Sequence, residues 1–117
     1  MEENILLAKE IYELLKSTYN TQKESVEQGE ITIEDLIKIL FHTVDGKVYM
    51  MNKSEKSGYY GYDGVVDKYT IGGSVKKDYM DGDFNRLIED LTMACYKNSG
   101  GKEITYTPKL IDTIRKL

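Results

Sequence analysis

Gly58-Tyr59-Tyr60-Gly61-Tyr62-Asp63-Gly64, followed by Val65-Val66-Asp67-Lys68-Tyr69-Thr70-Ile71-Gly72-Gly73-Ser74-Val75, is the stretch on which the fold turns. Its first seven residues hold three of the chain's ten tyrosines and three of its ten glycines. Tyrosine offers a large amphipathic contact surface with few rotors to freeze, and glycine lets a backbone adapt, a pairing that recurs in loops that bind partners. The window therefore reads as an aromatic loop. On that reading Val65 to Ile71 forms a strand, Gly72-Gly73-Ser74 turns the chain, and Ser74 to Met80 returns. Charge selects the three-residue turn: a two-residue Gly72-Gly73 turn would set Asp67 opposite Asp78 and Lys68 opposite Lys77, whereas the longer one sets Lys68 opposite Asp78 and Ile71 opposite Val75.

Upstream, Lys47 to Asn52 reads as a further strand. Thr32 and Asp35 approximate a capping box, and Ile33, Leu36, Ile37, Leu40, Phe41 and Val44 then follow helical spacing. A rival reading makes residues 37 to 44 a strand turned at Asp45-Gly46, but Leu40 breaks the alternation, so the helix is preferred. Residues 3 to 19 predict a first helix with a wide apolar stripe of Ile5, Leu7, Ala8, Ile11, Tyr12, Leu14 and Leu15. Residues 20 to 30 are almost wholly polar and read as a connection, a mobile one.

Downstream, Phe84, Leu87, Ile88, Leu91 and Cys95 define a core helix from Asp83 to Lys97, closed by Gly100-Gly101. Lys102 to Tyr106 alternates as a short strand, and Thr107-Pro108 opens a last helix with Thr107 as its cap. The expected fold is a single α+β domain spanning residues 1 to 117, in the order α-α-β-β-β-α-β-α, with a small, mainly antiparallel sheet packed against amphipathic helices. The expected core is Ile11, Leu15, Leu36, Leu40, Phe41, Leu87, Leu91 and Ile111.

The net charge of −4 is unevenly spread. Residues 1 to 46 carry ten acids against four bases, residues 47 to 79 four against six, and residues 80 to 117 six against six. An acidic total and two arginines argue against nucleic acid as a partner. One cysteine removes an intramolecular disulfide framework, one histidine removes Cys/His zinc spacing, and no long apolar run suits a membrane, so the expected setting is the cytoplasm. No cofactor is expected.

Candidate chemistry is thin. Asp78, Asp81 and Asp83 fail the calcium-loop pattern, because Arg86 stands where the loop needs glycine and Thr92 where it needs glutamate. Gly58, Gly61 and Gly64 lack dinucleotide-loop spacing. His42 ends a helical stripe without an identifiable nucleophile, and Cys95 lies on an apolar face where a thiol is inert. The functional expectation is a small non-enzymatic interaction protein, a regulator or inhibitor, binding a partner protein or a second copy of itself. The expected contacts are Tyr59, Tyr60, Tyr62, Asp63 and Lys56, with Glu24, Glu27 and Glu30 as an acidic face for a basic partner. The alternative is a small-ligand-binding domain or hydrolase-like enzyme using a helix/sheet cleft, with His42, Asp63, Asp67 or Asp78 as the titrating group.

Overall fold

A computed structural model describes residues 3–54, 58–76, 80–102 and 104–117. Its elements are α1 (Glu3–Glu27), α2 (Ile33–Thr43), β1 (Lys47–Ser54), β2 (Tyr59–Val66), β3 (Tyr69–Lys76), α3 (Met80–Asn98) and α4 (Thr107–Arg115). The α+β class holds, with one three-stranded antiparallel sheet in the order β1-β2-β3. Lys56 and Asp78 lie outside the described residues.

The aromatic window is the central strand, and this overturns its reading as a loop. Tyr59 to Val66 pairs with both neighbours, and the β2–β3 hairpin turns at Asp67-Lys68. Asp67 takes a positive φ of 54°, a conformation that aspartate tolerates better than most side chains. Gly72 and Gly73 sit mid-strand, opposite Asp63 and Tyr62. Aromatic rings explain why glycine stands inside strands. A Cβ on Gly73 would fall 2.9 Å from the Tyr62 hydroxyl, and one on Gly64 would fall 2.5 Å from Phe41 Cε1. Side chains of that size lie flat on the sheet only where their neighbours have none. The shift also removes the charge argument for a Gly72-Gly73-Ser74 turn, since Asp67 and Lys68 now form the turn itself.

Helix α2 begins as its sequence indicates. The Thr32 hydroxyl accepts from the Asp35 N–H at 3.0 Å and the Asp35 carboxylate accepts from the Thr32 N–H at 2.9 Å, which completes the capping box. That second bond holds the Asp35 carboxyl below its ordinary pKa. Residues 37 to 43 are helical, and Leu36, Ile37, Leu40 and Phe41 are buried.

Helix α1 runs eight residues beyond its expected end, so residues 20 to 27 are helix and not connection. Tyr19 and Val26 both pack into the main core, which gives the polar turns between them a reason to stay helical. Gly29, at φ 75°, ends the run, and its N–H donates to the Val26 carbonyl.

The expected strand at 102–106 does not form among the described residues there. Gly101 lies against the Tyr96 ring, the Tyr96 hydroxyl donates to the Lys102 carbonyl at 2.9 Å, and Ile104 packs beside α1, α3 and α4. Helix α4 starts one residue earlier than expected: Tyr106 occupies the cap position, without a side-chain bond, and Thr107 is inside the helix.

Helices α2 and α3 lie on one face of the sheet, and α1 packs on them from outside, with α4 beside α1 and α3. The main core joins Leu15, Leu36, Phe41, Tyr62, Val75, Phe84, Leu87 and Leu91, while a smaller one joins Ala8, Met93, Tyr96, Leu110, Ile111 and Ile114. Ile11, expected inside, is half-buried at the edge of the main core, and Leu7 and Leu14, expected on the apolar stripe of α1, are exposed.

Candidate functional site

Alternation along β2 divides the tyrosines between two faces. Tyr60, Tyr62, Gly64 and Val66 point towards the helices; Tyr59, Gly61, Asp63 and Val65 point away. Tyr62 is 6% exposed, with its ring edge-on to Phe41 at 5.9 Å, and burial pushes its phenol above the ordinary pKa, with the Asp90 carboxylate adding to the shift. Tyr60 packs against the same core. Of the three, Tyr59 alone is exposed, and Lys76, its cross-strand partner, holds its ammonium 5.9 Å from the ring.

A different pair of residues completes the surface that Tyr59 begins. In β1 the register slips between Val48 and Met50, so the strand carries an extra residue there. Tyr49 and Met50 stand at this bulge, 57% and 52% exposed, and Met50 pairs with Asp63. Val65 and Lys47 face each other across β1 and β2, and Thr70, Gly72, Ser74 and Lys76 extend the same face into β3. The result is a shallow, glycine-floored sheet face with Tyr49 and Met50 towards one side, Tyr59 at the far end of β2, and Lys47 and Lys76 at its margins. Sequence reasoning missed Tyr49 and Met50. The signal was present as two large apolar residues in succession, which a regular strand would place on opposite faces and a bulge need not.

The acidic residues lie elsewhere. Glu24 and Glu27 are exposed on the last turns of α1, and Glu30 is exposed in the turn that follows. No base stands in the last turn of α1 to complement the negative end of the helix.

The groups named for catalysis are dispersed. His42 is exposed on α2, Asp63 is on the outer sheet face and Asp67 is in the β2–β3 turn. Cys95 packs at the edge of the main core, where burial pushes its thiol up to about 11 and the nearby Asp45 adds to the effect. Asp83 accepts from the Lys76 N–H at 2.7 Å and so ties β3 to α3. Among the described residues, no cluster of three His, Cys, Asp or Glu side chains could hold a metal ion, and no helix is long and apolar enough to cross a membrane.

Compared with protein-family models, with curated proteins and with solved structures, the chain has no match.

Proposed function

We propose that this chain is a small non-enzymatic protein-interaction module, a regulator or inhibitor that acts by occupying a partner protein, with the outer sheet face as its contact surface. The observation that supports it is the exposure of Tyr49, Met50 and Tyr59, with Met50 and Tyr59 on the sheet face opposite the helices and Tyr49 beside Met50 at the bulge. Tyrosine side chains have few rotors to freeze on binding, and aromatic anchors dominate interface energetics. Lys47 and Lys76, both exposed, favour a partner whose apolar patch is rimmed by acids.

The test is a comparison of two variants. Tyr49→Ser, Met50→Ser and Tyr59→Ser together are expected to weaken binding of a partner captured by the wild-type chain by at least about tenfold. Stability should change little, since all three side chains are exposed. Glu24→Lys, Glu27→Lys and Glu30→Lys together should leave that partner bound. The opposite pattern, with binding kept by the first variant and lost by the second, would place the contact on the acidic end of α1 and contradict the proposal.

A further inference from the structure

The two outer strands of the sheet are unlike. β1 carries the bulge between Val48 and Met50, a device that blunts an edge against further pairing, whereas β3 pairs with β2 without a register slip from Tyr69 to Lys76. The main-chain groups of β3 that face outward follow from one bond. The Lys76 N–H donates to Asp83, away from β2, and alternation then turns the N–H and C=O groups of Ser74, Gly72 and Thr70 the same way. Among the described residues, no hydrogen bond takes up these three positions.

Beside this edge runs a groove of about 220 Å³ between β3 and α3, with Thr107 at the start of α4 also in its lining. Met93 and Ala94, both buried, form part of its lining. Lys97 closes one end, its ammonium 5.9 Å from the Tyr69 ring, and Asp90 lines the groove on the same helix face, two turns away. The Asp90 carboxyl is half-buried; burial raises its pKa, and the cation that offsets this is Arg86, one turn back on its own helix. A half-buried carboxylate beside an unpaired strand edge gives the groove both a main-chain template and a charge preference.

We propose that the β3 edge and the α3 groove bind an extended peptide segment of a partner protein as a fourth strand, with a lysine or arginine of that segment directed at Asp90. Strand addition supplies sequence-independent affinity through Thr70, Gly72 and Ser74, and alternate side chains directed into the groove supply selectivity. The charge argues against a second copy of this chain as the occupant. Two β3 strands paired antiparallel about Gly72 would bring the Asp90 carboxylates of both copies towards each other, and like charges in a partly buried site repel strongly. The edge uses the main chain of Thr70, Gly72 and Ser74, whose side chains border the outer sheet face, but not Tyr49, Met50 or Tyr59, so the two proposals are tested by different variants.

The probe is a fluorescent acetyl-Thr-Val-Thr-Lys-Thr-Val-Thr-amide peptide, whose valines and lysine share one face. It is expected to bind about tenfold more tightly than the same peptide with glutamate in place of lysine, the range of a hydrogen bond to a charged group. Asp90→Asn should remove that preference. N-methylation of the three central amides of the peptide should abolish binding without any change to the protein, and the Tyr49→Ser, Met50→Ser, Tyr59→Ser variant should bind the lysine peptide as the wild type does. The proposal is overturned by the absence of saturable binding up to about 1 mM, by equal affinity for the lysine and glutamate peptides, or by binding that survives N-methylation. A light-scattering mass of two copies, lost on substitution of Gly72→Pro, would overturn it in favour of self-pairing.

Discussion

Replacing Gly64 with alanine is expected to destabilise the fold by about 2–3 kcal/mol and to lower Tm by roughly 10 °C or more. The sign is informative, because Gly→Ala at an unstrained position ordinarily stabilises by about 0.4–1 kcal/mol through the unfolded chain. At Gly64 the added Cβ would lie 2.5 Å from Phe41 Cε1 and 2.8 Å from the Lys47 carbonyl oxygen. The carbonyl belongs to the neighbouring strand, and Phe41 is fully buried with Tyr62 edge-on to it, so neither can withdraw without moving the sheet or the core. Phe41→Leu removes the ring edge, and the double variant should therefore lose less than the sum of its two single variants. Urea titration reads both results. A Gly64→Ala change within about 0.5 kcal/mol of neutral, the usual outcome in an exposed loop, would contradict the strand assignment.

Phe84→Ala is expected to cost about 3–5 kcal/mol, roughly a fifth or more of the stability of an ordinary domain. Phe84 is fully buried and stacks on Tyr19 with ring centroids 5.2 Å apart. It stands near the start of α3, one residue after Asp83 ties that helix to the end of β3, and Lys16 donates to the Asn85 side chain at 2.8 Å beside it. Removing the ring leaves a cavity at the place where α1, α3 and the sheet come together, with a rigid helix on either side that cannot collapse to fill it. A loss below about 1.5 kcal/mol by urea denaturation would mean that α1 does not seat Tyr19 there.

Both effects depend on elements that were unequally visible in the sequence. Helix α2 was legible in full, because its capping box and its apolar spacing are local. The core of α3 was legible for the same reason, and seven of the eight residues expected inside are buried, with Ile11 half-buried. The C-terminal turns of α1 were not, since Thr21 to Ser25 carry no apolar side chain and the residue that holds them, Val26, is meaningful only once the rest of the core exists. The sheet was misread through its strongest turn signal. Gly72-Gly73 would suit a hairpin tip in isolation, but those glycines are cross-strand partners of Asp63 and Tyr62. The tyrosine window and the glycine pair are thus one feature split across two strands, a ring and the bare backbone beneath it, and no local rule connects residues eleven positions apart.

The same shift redistributed the expected contacts. Tyr62 became part of the core, Tyr60 moved to its margin, and Tyr59 stayed outside, because adjacent strand residues alternate between faces. Tyr49 and Met50 gained prominence through a bulge that spacing alone does not announce.

Amide hydrogen exchange followed by NMR tests the central claim, that residues 59 to 66 form the middle strand of the sheet, most directly. Lying between β1 and β3, the amides from Tyr60 to Val66 should exchange slowly as one continuous block, at rates comparable with those of the buried turns of α3. Rapid exchange across Tyr59 to Gly64, with slow exchange confined to residues flanking a Gly72-Gly73 turn, would contradict it.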